Sequence, residues 1–341
     1  MNKTILSVLV ANAMFASNAV ADTFSTSPDS AEQDFFATIV DGTGGSIGAF
    51  FEKEDKKAYN EDGSLIGKNE YTENSIITGF LYNKELPVSL NYSLKQIQNK
   101  WRTADGSFSQ IDDGFQVSTN LRYNRGLGRG FSTGLGWATE FERSDRNQGN
   151  TKGDLTQDQH EFYTFLGYWN NDWKGGFYSE LSYGMTNETN SLDAGLWGDK
   201  DTTYYKVLFK PYKSFGKFFA GVEFYYEDKD TDGRDGSFLE NFEEWYIEPE
   251  LAYSFDFGGR LFVKQRYSEK TTTQTNGDSY FGTVNKTTVG YQHNFKNWSV
   301  SGEVEIFNED KDAKAEWTGN EKIGNGHEEY NKLKLMAQYR F

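Results

Sequence analysis

The feature that most constrains this chain is an alternation of connection lengths between segments of alternating polarity. From Ser46 onward, apolar and polar residues alternate over stretches of about ten residues: 46–55, 73–82, 88–98, 114–124, 131–143, 159–169, 175–186, 202–212, 217–228, 242–255, 260–270, 283–293, 298–308 and 329–341. Period two is the signature of a strand whose two faces meet different surroundings. Short connections rich in Gly, Asn, Asp and Lys (83–87, 125–130, 170–174, 213–216, 256–259, 294–297) suit hairpin turns. Long polar connections fall between them: 56–72, 99–113, 144–158, 187–201, 229–241, 271–282 and 309–328. Tight turns on one side and large loops on the other describe a transmembrane β-barrel, with the turns periplasmic and the loops extracellular.

The last segment shows the polarity rule most clearly. Leu333, Leu335, Ala337, Tyr339 and Phe341 form an apolar face, and Lys332, Lys334 and Arg340 lie on the other. An even number of strands places both chain ends on the periplasmic side and leaves no unpaired edge if strand 46–55 closes on 329–341. The expected fold is therefore all-β: a closed antiparallel transmembrane β-barrel of about 14 strands, with short periplasmic turns and long extracellular loops.

Composition resolves an apparent contradiction. Mean hydropathy is −0.75, yet 17% of residues are aromatic. A barrel with an apolar outer band, aromatic girdles and a polar lumen averages to a hydrophilic chain. A soluble β-sandwich also has evenly spaced strands, but its longer loops need not gather at one end. The absence of cysteine excludes disulfides and thiol chemistry, and a formal charge of −16 argues against a nucleic-acid partner.

At the amino end, Lys3, an apolar run from Ile5 to Ala16 and the Ala19-Val20-Ala21 site read as a signal peptide over residues 1–21. Residues 22–45, ending in Asp41-Gly42-Thr43-Gly44-Gly45, read as a periplasmic tail or a plug folded into the lumen, with an extra strand as the alternative that would make the count odd. Residues 46–341 would form the barrel.

The signal peptide, the count of fourteen, the mature length and the terminal Tyr339-Arg340-Phe341 resemble monomeric outer-membrane porins of the outer membrane protein G type, and are similar to the fourteen-stranded cyclodextrin-uptake porin. The likeness rests on architecture and carries over no single functional residue. It implies a one-chain pore admitting sugars and oligosaccharides, with residues 22–45 matching a mobile amino-terminal plug and Phe341 matching an assembly signal.

Period two also assigns a wall. Lys95, Arg122, Lys206, Lys210, Lys264, Arg266, Lys286, Lys332, Lys334 and Arg340 turn inward, opposed by Glu140, Glu180, Glu223, Glu244, Glu248, Glu303 and Glu305. A lysine on the lipid face would cost about 2–4 kcal/mol at the midplane. These charges would pair across strands and stiffen the wall, or set a transverse field across a constriction. Tyr204, Tyr225 and Tyr246, with Phe50, Tyr163, Trp169 and Tyr212, would offer faces on which sugar rings stack. Tyr82, Tyr92, Tyr123, Phe131, Trp173, Phe218, Tyr291 and Trp298 lie beside short turns and should form the periplasmic girdle.

An enzyme is not expected. His160, His293 and His327 are the only histidines, and no G-x-S-x-G, H-E-x-x-H or phosphate-binding glycine loop is present. No cofactor and no metal is expected. The partners expected are outer-membrane lipid, lipopolysaccharide and small polar solutes, sugars foremost, with the protein a monomer in the outer membrane of a Gram-negative bacterium. The alternatives are a surface receptor or adhesin working through its acidic loops, and a barrel hydrolase.

Overall fold

The computed structural model describes residues 43–83, 87–191, 199–234, 239–274, 279–314 and 326–341. The signal peptide and nearly all of the tail or plug lie outside the described residues. Among the described residues there are fourteen strands: β1 (Thr43–Asn60), β2 (Leu65–Asn83), β3 (Val88–Thr103), β4 (Ser109–Gly128), β5 (Phe131–Gln148), β6 (Thr151–Asn170), β7 (Gly175–Asn190), β8 (Lys200–Phe215), β9 (Phe218–Gly233), β10 (Leu239–Ser254), β11 (Gly259–Gln274), β12 (Ser279–Phe295), β13 (Trp298–Lys314) and β14 (Gly326–Arg340). Each pairs antiparallel with its neighbours in sequence, and β1 pairs with β14 to close the barrel.

The seam runs from Ser46 opposite Arg340 to Asn60 opposite Gly326. Gly45 and Phe341 exchange backbone hydrogen bonds at 3.4 and 3.0 Å. Every wall strand thus has partners on both sides, which lipid requires of backbone groups. β1 begins at Thr43, so the last residues of the segment expected as tail or plug are strand.

The strands correct the expected loops. They run 15–20 residues, about twice the sequence segments, and absorb most of what read as long connections. The apolar outer band keeps the expected span: on β8 from Tyr205 through Val207 and Phe209, all exposed, and on β14 over Leu333 and Leu335. A strand of 16 residues rising ~3.3 Å each at a tilt of ~40° stands about 40 Å tall, against an apolar band of ~25 Å. The polar extracellular part of each strand therefore continues the barrel above the membrane. His327, expected in a loop, lies in β14. At the other end the β4–β5 turn passes through Gly128, Arg129 and Gly130 with φ of 82°, 54° and 83°, a left-handed run that two glycines make inexpensive.

The girdle also needs one correction. Tyr123, Phe131, Trp173, Phe218, Tyr291 and Trp298 are exposed beside short turns. Tyr92 instead is buried: its ring lies across Gly79, and its hydroxyl donates to the Ser46 carbonyl at 3.3 Å.

The inner face is built in two tiers. Gly136 sits directly opposite Tyr163, and a Cβ there would lie 1.9 Å from the tyrosine ring. Gly290 holds the same relation to Phe262 at 2.1 Å. The rings lie flat on the wall where the neighbouring strand has no side chain. Phe165 over Gly134 and Tyr204 over Gly184 repeat the arrangement.

Candidate functional site

The candidate site is the luminal wall. Its residues alternate with exposed outward ones: on β10, Trp245, Ile247 and Leu251 face out, and Tyr246, Glu248 and Glu250 are buried on the inner side. Glu244 continues the inner row beside Lys270 of β11.

The second tier is cationic. Arg122 lies 3.6 Å over the Phe165 ring, Lys206 4.5 Å over Tyr204, Lys264 5.2 Å over Phe262, and Arg266 3.6 Å over Tyr246. Tyr246 in turn stacks on Tyr225, with ring centroids 4.6 Å apart. A cation over a ring gains electrostatic attraction from the ring quadrupole. The rings are the underlayer of the wall, and the charges stand above them. Tyr163, Tyr204 and Tyr246 are only 4–7% exposed, which leaves little face for a sugar to stack on and revises the expected stacking track.

The charges form a belt of ion-paired clusters and separate pairs around much of the wall. Lys206 contacts Glu161 at 2.6 Å and Glu227 at 3.9 Å. Lys210 lies 3.6 Å from Glu223 and 3.2 Å from Glu250, which Arg260 also reaches at 2.9 Å. The Tyr246 hydroxyl donates to Glu223 at 2.6 Å. Arg266 bonds Glu248 at 2.7 Å, and Lys286 joins Glu248 at 3.8 Å to Glu305 at 3.0 Å. Lys332 meets Glu52 at 2.5 Å across the seam, and Lys95 meets Glu73 at 2.7 Å.

Other residues of the expected wall lie outside this belt. Glu180 accepts hydrogen bonds from Tyr178 and, at 3.2 Å, from Ser182. Glu303 stands opposite Lys334, which lies 5.3 Å over the Phe50 ring. Among the described residues Glu140 has no ion-pair partner within 4 Å and no side-chain hydrogen bond, and it faces Ser118 and Gln159 in register. Arg340 is at the periplasmic rim, where it donates to Asn294 at 2.9 Å.

The sequence reading left part of the wall unnamed, although it shares the inward parity of Tyr163, Glu180, Glu223 and Lys264. Phe165, Tyr178, Phe219 and Phe262 are buried there, Phe219 beneath Arg260 at 5.1 Å. The signal that could have found Phe165 and Phe262 is a glycine at the paired position of the neighbouring strand. The histidines do not converge. His160 faces outward against Trp137, and His293 sits among rim aromatics. His327 lies between Asp310 and Glu329 at 2.9 and 3.4 Å. Among the described residues no group of side chains suits a metal ion.

A wall of this kind holds water and presents donors and acceptors of both signs to whatever passes. The family model described as "CymA: Putative cyclodextrin porin" matches residues 1–341. The chain belongs to this family of porins. It is an outer-membrane channel protein of the Gram-negative envelope. This carries the cyclodextrin-porin half of the resemblance; the likeness to the protein G type rests on the sequence alone.

No curated protein matches the chain. Solved structures share its fold. A Pseudomonas aeruginosa FadL homologue is 10% identical, with 88% of this chain and 90% of that chain covered at a TM-score of 0.50. A deltaS2 mutant of the TodX monoaromatic hydrocarbon channel is 9% identical (89% and 90% covered, TM-score 0.51). The CymD monoaromatic hydrocarbon channel is 6% identical (87% and 88% covered, TM-score 0.51).

Proposed function

We propose that this porin passes neutral saccharides of oligosaccharide size by passive diffusion, as one chain, with no cofactor and no catalytic step. The observation that supports the reading is the paired charge of the wall. Glu161, Lys206 and Glu227, or Arg266, Glu248 and Lys286, put donors and acceptors side by side where hydroxyls of a sugar would replace water at each step. Because the charges are paired, no strong field of one sign holds a neutral solute back. The rings beneath add apolar bulk without a continuous apolar track.

Residues 22–42 complete the proposal as a plug entering from the periplasmic end. The TodX and CymD structures are described as monoaromatic hydrocarbon channels, but at 6–9% identity they share the fold alone. An ion-paired wall favours polar solutes over hydrocarbons, which would have to displace hydrating water without replacing its hydrogen bonds.

Liposome swelling tests the reading directly. Proteoliposomes should swell in isotonic glucose, maltose and maltotriose at rates that fall with size, and a cyclodextrin should interrupt ion current through single channels. Swelling no faster than protein-free liposomes in all sugars would refute it. A truncation of residues 22–42 should raise the open fraction of the current, and an unchanged record would leave that segment a tail.

A further inference from the structure

The outer surface above the membrane carries a second feature that passage through the lumen does not use. Lys57 of β1 is directly opposite Lys68 of β2, and Lys68 is directly opposite Arg102 of β3. All three alternate with luminal residues (Lys56, Asn69 and Trp101 are the inward neighbours), so they project outward, and all three are exposed. Like charges at directly opposed positions of adjacent strands destabilise a sheet. Lys100 stands one step below Arg102 on the same face, and Lys53 one step below Asp55.

The acids nearby do not cancel the row. Asp55 takes Lys53 at 3.0 Å, and Glu70 lies between Asp55 and Lys100 in register. Glu329 flanks Lys57 on β14, but its carboxylate accepts from Tyr59 and contacts His327. Among the described residues, Lys57, Lys68, Lys100 and Arg102 make no ion pair within 4 Å. Elsewhere the outward face at this level is mostly acidic, with Asp158, Asp230, Glu243, Glu269 and Asp310 exposed on β6, β9, β10, β11 and β13, and Arg143 of β5 and Lys152 of β6 as isolated exposed cations. On a chain of net charge −16, one basic sector spans three adjacent strands.

Its height selects the ligand. From the periplasmic end of β2, Lys68 is about 13 residues beyond Leu81, which is roughly 33 Å along the barrel axis at ~3.3 Å rise and ~40° tilt. The apolar band ends at ~25 Å, so the row stands within about 10 Å above it, where the phosphates of outer-leaflet glycolipids lie. We propose that Lys57, Lys68 and Arg102 form a binding site for the phosphorylated headgroup of lipopolysaccharide on the outer wall of β1–β3. Phosphate oxygens would sit between the three cations, with Arg102 able to engage two oxygens at once and the lysines acting as point charges. The occupant relieves the repulsion that the bare row carries. It also anchors the sector next to the β1–β14 seam.

The test compares purified protein with a Lys57→Gln, Lys68→Gln, Arg102→Gln triple variant, using rough-type lipopolysaccharide as probe and native mass spectrometry with detergent titration as readout. Each basic residue near an anionic membrane surface is worth enough that losing three should weaken retention at least tenfold. Chemically dephosphorylated lipopolysaccharide should bind wild type as weakly as the intact form binds the variant. Inorganic phosphate at millimolar concentration should not displace the lipid. A Glu243→Gln variant on the acidic side should bind like wild type. Unchanged retention in the triple variant, or equal retention of the dephosphorylated lipid, would overturn the site. Displacement by free phosphate would mean a general anion contact and would overturn it as well. Unaltered single-channel conductance in the triple variant serves as the folding control.

Discussion

Replacing Lys210 by methionine tests the paired wall most sharply. Its ammonium lies 3.2 Å from Glu250 and 3.6 Å from Glu223, and the three side chains are between 4% and 11% exposed. At an effective dielectric of about 20, each contact amounts to roughly 5 kcal/mol of gross attraction, most of it offset by the desolvation of the three charges. Removing one partner of a buried pair costs about 3–5 kcal/mol when the other is left alone. Here neither carboxylate is left alone. Glu250 keeps Arg260 at 2.9 Å, and Glu223 keeps the Tyr246 hydroxyl at 2.6 Å. The expected loss is therefore nearer ~2–3 kcal/mol. Urea unfolding of the purified protein, followed by the shift between folded and unfolded bands on unheated gels, reads it as a lower midpoint. Adding Glu223→Gln should recover at least about 1 kcal/mol, because Glu223 is the carboxylate left without a cation. A Lys210→Met protein within about 0.5 kcal/mol of wild type would refute the claim that these pairs hold the wall.

Four other outcomes follow from the same geometry. Gly136→Val should push the Tyr163 ring off the wall, costing about 1–3 kcal/mol and lowering single-channel conductance; equal conductance and stability would contradict the two-tier wall. Arg266→Gln removes the cation from Tyr246 and Glu248, so the reversal potential in a salt gradient should shift toward cation preference, and a shift toward anions would count against the assignment. Lys332→Met deletes the contact to Glu52 at the closing seam, and refolding yield into detergent should fall while a Lys311→Met control keeps it. Hydrogen bonds from Thr103 and Ser107 pull the Asp105 carboxyl in the β3–β4 turn down to about 2. Its folded value lies below the unfolded one, so its contribution is present above about pH 4 and is lost as pH falls through 2. A carboxyl-carbon titration with an inflection near 4 would contradict that turn geometry.

Much of this protein was legible because a barrel wall obeys one rule. Lipid forces every outward side chain to be apolar and frees every inward one, so Tyr205, Val207 and Phe209 identified the outer face of β8 and thereby placed Lys206 and Lys210 inside. Above the membrane that rule lapses. Water solvates both faces, polarity no longer alternates, and residues such as Glu188, Asp230 and His327 read as loop although they lie in strands. The rings were misread for a different reason. Whether Tyr204 offers its face to a solute depends on what lies above and below it: period two puts Lys206 next on the same face, but it expresses neither the folding of that lysine over the ring nor the cross-strand Gly184 beneath. The basic row on β1–β3 was hidden for the same cause: Lys57, Lys68 and Arg102 are far apart in sequence and meet only through register.

The proposed function requires the lumen to be a water-filled path for saccharides. Single-channel recording in planar bilayers, with a cyclodextrin added to one side, tests it most directly. The account predicts a steady ohmic current that the sugar interrupts in a concentration-dependent way, while toluene at saturation leaves the current unchanged. No current from folded protein, or interruption by toluene and not by the sugar, would contradict it.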